Sequence, residues 1–187
     1  MTTYSVLKHC QDAATTMEEL IRIAPQVELV AKEIVVCLTG NGTVFWFGNG
    51  GSASDAEHLA AELSGKFAID REPLNSFALT CNSSVVTAIA NDYGFDQIFS
   101  RQVKAHVRSG DVVIGISTSG KSVNVLNGLK TAIDLGAISI LLTGKDFEGA
   151  LEVTHIIRVP SSNTAHIQEA HITVGQAICG FVENEML

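Results

Sequence analysis

The sequence predicts an α/β domain in which a five-stranded parallel sheet is flanked by helices. Five short apolar runs alternate with segments of helical periodicity, which is typical of parallel sheets covered on both faces. The runs are continuously apolar instead of alternating with polar residues, as strands buried on both faces require. The length of 187 residues and the apolar fraction of 46% suffice for one core. We therefore expect a single domain over residues 1–187.

The predicted elements follow one another in a simple order. Two N-terminal helices are predicted at Thr3–Ile21 and Gln26–Leu38, with Pro25 near the first position of the second helix. The predicted strands are Val44–Gly48, Asn75–Leu79, Val112–Ile116, Ser139–Thr143 and His155–Val159. The other predicted helices are Ala53–Phe67, Ser83–Asn91, Phe95–Val107, Val123–Leu135 and a long final helix, Ala165–Glu185.

Composition and charge disfavour several classes of protein. The formal net charge is −8 and the lysines and arginines form no cluster, so we expect no nucleic-acid partner. No apolar run approaches the length of a membrane span, and the N-terminus lacks the pattern of a signal peptide. The four cysteines have no metal-ligand spacing and are typical of buried thiols in a reducing cytoplasm: Cys10, Cys37, Cys81 and Cys179. We therefore expect a cytoplasmic protein without a membrane partner.

The most informative segment is Val112–Ser122, with the sequence VVIGISTSGKS. A buried strand breaks there into a loop of small hydroxyl residues, and a helix follows. Such a junction directs free backbone N–H groups and the positive end of a helix dipole at one point, which favours a phosphate group. The hydroxyl donors are Ser117, Thr118, Ser119 and Ser122.

A second junction of this kind follows the first strand, where Asn49, Gly50, Gly51 and Ser52 precede a helix. Both loops lie beyond the carboxyl ends of parallel strands, where open sheets bind their ligands. The two loops are therefore expected to form one site for a phosphorylated small molecule.

A nucleotide site is the alternative at this position. Gly115–Ser122 formally matches the phosphate-binding pattern GxxxxGK[ST]. However, that pattern usually follows the first strand and needs a later strand that ends in a magnesium-binding aspartate. Here the loop follows the third strand, and Ser139–Thr143 is followed by glycine. We therefore favour a phosphorylated metabolite over a nucleotide.

His58 and Glu62 share one face of the helix that follows the first loop, because they are four residues apart. The structural interpretation of these two residues is a solvated ion pair. The functional interpretation is that they provide a general base, a pair of metal ligands, or both. Asp55 is interpreted as an acidic residue that compensates the helix dipole.

Two further features have a structural interpretation. Asn91 and Asp92 precede Gly94 and are typical of the end of a helix. In the final helix, Gln168 and Gln176 fall on a stripe that includes Gly175, and this glycine suggests a close approach of two helices. The structural interpretation of the stripe is a helix packed in an oligomer.

Five ordered segments resemble the phosphoheptose isomerases of the sugar-isomerase (SIS) domain superfamily. They are GNGGSASDAEH, AIANDYGFDQIFSRQV, GDVVIGISTSGKS, LLTGKD and VPSSNTAHIQEAH. The resemblance extends from about Val44 to the C-terminus, and it explains the nucleotide-like match as the family's phosphate loop. It implies a five-stranded parallel sheet and a homotetramer with active sites at subunit interfaces. The implied reaction interconverts sedoheptulose 7-phosphate and D-glycero-D-manno-heptose 7-phosphate, in the biosynthesis of heptoses for bacterial surface glycans.

The resemblance also implies roles for individual residues. Glu62 would be the acid/base glutamate and, in some members, a zinc ligand; His58 would be a zinc ligand, and Gln168 a substrate and metal ligand. The implied substrate contacts are Asn49, Gly50, Gly51, Ser52, Asn91, Asp92, Ser117, Thr118, Ser119 and Ser122.

One position departs from the family pattern. Eight residues after Gln168 the family has a histidine that is both a metal ligand and a catalytic acid/base, and this chain has Gln176. A carboxamide neither titrates near neutral pH nor matches imidazole as a zinc ligand. We therefore expect weak or absent zinc and an impaired isomerase. The alternative is a non-catalytic SIS protein that binds a phosphosugar or the replication initiator DnaA.

Overall fold

The structure, a computed structural model, describes residues 4–187, so Thr3 of the first predicted helix lies outside the described residues. The helices are α1 (Val6–Glu19), α2 (Ala24–Thr39), α3 (Gly51–Ser64), α4 (Ser83–Tyr93), α5 (Ile98–His106), α6 (Val123–Asp134) and α7 (Thr164–Glu185). The strands are β1 (Val44–Gly48), β2 (Ser76–Ala78), β3 (Val112–Ile116), β4 (Ile138–Gly144) and β5 (His155–Val159).

The five strands form one parallel sheet in the order β2-β1-β3-β4-β5, which confirms the predicted fold class. The inner strands β1 and β3 are buried along their whole length, whereas the edge strands β2 and β5 are partly exposed. Gly48 pairs with Ile116, so β1 and β3 end side by side. The loops that follow these two strands therefore start from adjacent points.

The sheet has a hydrophobic core on each face. Trp46 packs in the core shared with α2, α3 and α7, while its neighbours Phe45 and Phe47 pack in the core shared with α5 and α6. This alternation follows from the opposite directions of successive side chains along a strand. The indole N–H of Trp46 donates to the Ser76 hydroxyl at 3.0 Å, so its buried polar atom is satisfied.

Several predicted boundaries differ from the structure at glycines and short turns. The first predicted helix ends at Glu19 and continues as a 3-10 turn over Leu20–Ile23. A second 3-10 turn, Phe95–Gln97, precedes α5, because Gly94 ends α4 with a φ of 91°. The helix predicted to reach Phe67 ends at Ser64, before Gly65.

The expectation of four buried cysteines is wrong for two of them. Cys37 and Cys179 are buried, but Cys10 and Cys81 are exposed. Cys10 lies on the outer face of α1, and Cys81 lies in the turn after β2. Within residues 4–187, no helix combines the length and apolar character that crossing a membrane requires.

Candidate active site

The site lies where the connections from β1 and β3 diverge. The helix that follows β1 packs with α7 on one face of the sheet, and the helix that follows β3 packs with α5 on the other. Adjacent strands whose connections leave toward opposite faces create a crevice at their carboxyl ends, and open α/β sheets bind ligands there. The predicted meeting of the Asn49–Ser52 and Ser117–Ser122 loops is confirmed.

A reciprocal amide pair joins the two junctions. Asn49 donates to Asn124 Oδ1 at 2.9 Å, and Asn124 donates back to Asn49 Oδ1 at 2.8 Å. The same Asn124 oxygen accepts the backbone N–H of Val125 at 2.9 Å. Asn124 is only 2% exposed, so its hydrogen bonds are shielded from water. Asn124 cannot be recognised as important from the sequence, because its role depends on a partner 75 residues away.

Two helices begin at this crevice without a side-chain cap. The caps of α1, α4 and α7 accept backbone N–H bonds from their helices, but Gly50 before α3 and Ser122 before α6 do not. Within residues 4–187, the backbone N–H groups of Ser119, Ser122 and Val123 have no protein acceptor. At the start of α3, by contrast, the N–H groups of residues 52–54 donate to the backbone carbonyls of Asn49 and Gly50. The free N–H groups that attract an anion therefore lie at the N-terminus of α6.

Hydroxyl groups surround these free donors. The Ser117 hydroxyl donates to the Ser122 hydroxyl at 3.1 Å, and the Ser119 hydroxyl accepts the N–H of Lys121 at 3.1 Å. The Thr118 carbonyl accepts the N–H of Gly144 at 3.1 Å, which ties the loop to the end of β4. Ser52 is buried at the start of α3. The hydroxyls of Ser117, Ser119 and Ser122 are therefore held in place by local bonds.

Gln168 reaches the first loop from α7. A Cβ atom added to Gly51 would collide with the carboxamide of Gln168, which would have to move to make room. Gly175, two turns further along α7, packs against Leu59 of α3. A Cβ atom at this position would also collide with its neighbour. The prediction of close helix packing at Gly175 is confirmed.

Beside the first loop lies a cavity of about 220 Å³. Its lining includes Asn49, Gly50, Glu57 and Thr80. Among the described residues, the buried hydroxyl of Thr80 has no hydrogen-bond partner. Leaving a buried hydroxyl without a hydrogen bond costs free energy of folding. A polar ligand in this cavity could therefore form a hydrogen bond with Thr80.

His58 and Glu62 form the pair that their spacing predicts, with His58 Nε2 2.9 Å from Glu62 Oε1. His58 is half exposed and Glu62 is about one-fifth exposed, so the pair faces the edge of the core. The guanidinium of Arg71 donates to the backbone carbonyls of Glu62 and Leu63 at 2.9 Å each. These bonds provide donors for backbone carbonyls in the last turn of α3, which lack partners within the helix, and they hold the segment that carries Glu62.

The SIS domain family matches residues 8–144 of this chain. The phosphoheptose isomerase of Rhodospirillum rubrum is 48% identical over 178 residues, 95% of each chain, and that of Aquifex aeolicus is 50% identical over 86% of this chain and 84% of its own. This chain belongs to the phosphoheptose isomerase family of SIS-domain proteins. Among solved structures, the phosphoheptose isomerase GmhA of Neisseria gonorrhoeae superposes with a TM-score of 0.89 at 39% identity, covering 96% of this chain and 97% of that one. The phosphoheptose isomerase of Francisella tularensis gives a TM-score of 0.90 at 34% identity, with 96% of each chain covered.

The four candidate zinc ligands that the phosphoheptose isomerase pattern implies do not form one set in this chain. His58 and Glu62 are paired, but Gln168 contacts Gly51, two turns earlier on α3. Within residues 4–187, no hydrogen bond joins Gln168 or Gln176 to His58 or Glu62. One imidazole, one carboxylate and two carboxamides are a poor donor set for zinc. These residues do not fit a stable four-ligand zinc centre.

The structure places the remaining predicted residues of the phosphoheptose isomerase pattern apart from the loops. Gln176 is half-buried beside Gly175, level with the middle of α3. Asn91 and Asp92 are exposed at the end of α4, where Asn91 donates to the Asp92 carboxylate at 2.8 Å. The interpretation of these two residues as the end of a helix agrees with the last turn of α4.

Two buried ionisable groups lie on the helices that carry the site. The interpretation of Asp55 as a first-turn residue that compensates the helix dipole is wrong, because the first turn of α3 contains no acidic residue and Asp55 is buried. Burial raises the pKa of Asp55 to about 6, although His58 opposes the shift. His171 on α7 is completely buried, and burial lowers its pKa to about 4. Neither group could be recognised from the sequence, because burial and not spacing makes it unusual.

Proposed function

We propose that this chain is an isomerase that interconverts sedoheptulose 7-phosphate and D-glycero-D-manno-heptose 7-phosphate. The observation that carries the proposal is the set of free backbone N–H groups at the uncapped N-terminus of α6, beside the crevice between β1 and β3. Membership of the phosphoheptose isomerase family supports the identity of the sugar.

The free N–H groups of Ser119, Ser122 and Val123 bind the phosphate group, together with the hydroxyls of the same loop. Hydrogen bonds from N–H groups to an anion are stronger than those between neutral groups. Asn49 and Thr80 border the adjoining cavity and bind hydroxyl groups of the sugar.

Aldose–ketose isomerisation moves a proton between two adjacent carbons through an enediol. Glu62 accepts the proton from one carbon and returns it to the next, and His58, 2.9 Å away, orients the carboxylate. A second acid/base must move protons between the two oxygens. Gln176 stands where the family pattern has a histidine, and a carboxamide can only orient the substrate or a water molecule. We therefore propose a reduced rate with substrate binding retained.

The primary test is the formation of the aldose from sedoheptulose 7-phosphate, with binding measured in parallel by calorimetry. Glu62→Gln should abolish turnover and retain binding, whereas Glu152→Gln, at an exposed carboxylate in the loop before β5, should change neither. Failure of the parent chain to bind the sugar phosphate would contradict the proposed function. Capture of DnaA without sugar binding would favour the non-catalytic alternative.

The role of Gln176 has its own test. Gln176→His should raise kcat by about tenfold or more with little change in affinity, because it restores a group that acts mainly in the transition state. Glu62→Gln in that background should remove the gain. A fast parent enzyme that Gln176→His slows would show that another residue supplies the second proton.

We also propose that zinc binding at His58 and Glu62 is weak or absent, as the donor set supports. Aldose formation measured with and without added zinc tests whether the reaction depends on the metal. Stoichiometric zinc at these two residues after dialysis against a mild chelator would overturn it.

A homotetramer is proposed because apolar surface remains uncovered on the N-terminal helices and α7. A groove between them is lined by Met17, Leu20, Ile21, Ala24, Val27, Ala31, Val174, Ala177 and Phe181, with Glu28 and Thr173 at its polar positions. Glu62 also lies about 16 Å along α3 from Gly51, which favours a site shared between subunits. Light scattering tests the assembly, and a monomer at micromolar concentration would contradict it. The cytoplasmic location remains a proposal that rests on the phosphorylated metabolite as substrate.

A further inference from the structure

A second cluster of ionisable side chains joins α1 to α7, outside the crevice. It consists of His9 on α1 and of His166 and Glu169 on α7. One potential ligand atom from each residue lies within 4.8 Å of the other two. Within residues 4–187, this is the one group of three histidine, cysteine, aspartate or glutamate side chains that meets this condition.

The distances in this cluster match those between ligands on a metal ion. His166 Nδ1 lies 3.0 Å from one oxygen of Glu169, and His9 Nε2 lies 3.4 Å from the other. Ligands about 2.0–2.2 Å from a tetrahedral zinc ion are about 3.4 Å from one another. An ion would therefore need only small side-chain adjustments to bind all three residues.

The chemistry of the cluster also suits such an ion. Two imidazoles and one carboxylate are the ligands of one known class of zinc site, in which water occupies the fourth position. A glutamate side chain is ionised at neutral pH, so Glu169 supplies the negative charge that a divalent cation requires.

The surroundings combine a fixed ligand with an open path. His166 is 4% exposed and is held by its packing, whereas His9 and Glu169 are 29% and 41% exposed. The ring centroids of the two histidines are 4.5 Å apart. An ion can therefore enter from the solvent side and find one ligand already in position.

We propose that His9, His166 and Glu169 bind a divalent transition-metal ion of the zinc class and thereby fasten α1 to α7. The helix α1 has little packing of its own against the core, because Thr16 is its one buried residue and Val6 and Leu7 are exposed. These three residues belong neither to the His58–Glu62 pair nor to the two loops at the crevice.

The test uses Zn²⁺ alone on chelator-treated protein in which His58→Gln and Glu62→Gln remove the other candidate ligands. Calorimetry should show one saturable Zn²⁺ site per chain. His9→Gln and His166→Gln should each weaken binding by about tenfold or more, since each removes one of three ligands. His155→Gln is the matched control, because it disrupts a histidine–glutamate pair at 2.9 Å elsewhere in the fold and should leave Zn²⁺ binding unchanged.

Two further readouts separate metal binding from a simple hydrogen-bond network. Co²⁺ should give the visible absorption of a tetrahedral site in the parent background and not in His9→Gln. Zn²⁺ should also slow hydrogen exchange of the α1 amides, an effect that His9→Gln should abolish. Because His9 is partly exposed, this variant tests the proposal even if His166→Gln fails to fold. No saturable Zn²⁺ binding, or binding equal in the parent and His9→Gln proteins, would overturn the proposal.

Discussion

Asn124→Ala tests whether the amide pair between the two loops organises the site. The substitution removes the two hydrogen bonds with Asn49 and the one to the N–H of Val125. Each hydrogen bond contributes about 0.5–1.5 kcal/mol net. Asn49 is partly exposed, so water can replace some of what it loses. We therefore expect the free energy of unfolding to fall by about 2 kcal/mol, near the lower end of the sum for three bonds.

Thermal unfolding at one protein concentration measures the loss of stability. For a chain of this length, about 2 kcal/mol corresponds to a decrease in Tm of about 4–8 °C. The functional effect should appear as weaker binding of sedoheptulose 7-phosphate, because Asn49 would no longer be held at the edge of its cavity. A tenfold loss of affinity, equivalent to about 1.4 kcal/mol, is the expected order.

Asn127→Ala is the matched control on the same helix. Asn127 is partly buried, whereas Asn124 is fully buried, and the Asn127 amide donates one hydrogen bond at 3.1 Å, to the carbonyl of Asp96. Its substitution should lower Tm slightly and leave affinity unchanged. In a double-mutant cycle, Asn49→Ala and Asn124→Ala should be non-additive, because both remove the same pair. Unchanged affinity in Asn124→Ala, or equal losses in both helix variants, would refute the proposed role of Asn124.

Two further substitutions test buried carboxylates. Burial raises the pKa of Asp55 from 3.8 to about 6, so its contribution to stability is present below pH 4 and is lost as the pH rises through 6. Asp55→Asn should remove this decrease in the free energy of unfolding, measured by urea unfolding across the same pH range, and an unchanged pH profile would contradict the prediction. Glu183 accepts hydrogen bonds from the backbone N–H groups of residues 67–69 at 2.8–2.9 Å, so Glu183→Gln should speed the hydrogen exchange of these amides. Glu185→Gln, at an exposed position, is the control and should not change it. Equal exchange rates in the two variants would show that Glu183 does not hold this segment.

The sequence predicted the features that are encoded locally. The strand, the small-residue loop and the helix around Ser117–Ser122 are consecutive in the chain, and the order of strands and helices determined on which edge of the sheet they lie. The His58–Glu62 pair was accessible for the same reason, because spacing along one helix specifies which side chains are neighbours.

The sequence did not reveal features that depend on distant partners or on burial. Asn124 is one of several asparagines until its pairing with Asn49 is known. Glu183 reads as a surface charge near the end of a helix, yet it accepts three backbone N–H bonds more than 110 residues away in sequence and lies 3.3 Å from Arg71. Burial raises the pKa of Glu183, but these bonds and Arg71 outweigh it and lower the pKa below its usual range.

These contacts give α7 several separate functions along its length. Gln168 contacts the first loop, while the neighbouring His166 and Glu169 face His9 of α1. Glu183, near the other end, holds the segment that includes Arg71, and Arg71 in turn binds the carbonyl of Glu62. A shift of α7 would therefore disturb the first loop, the proposed metal site and the segment that carries Glu62 together. Because activity alone cannot distinguish these effects, substitutions in α7 need separate measurements of sugar binding, Zn²⁺ binding and hydrogen exchange.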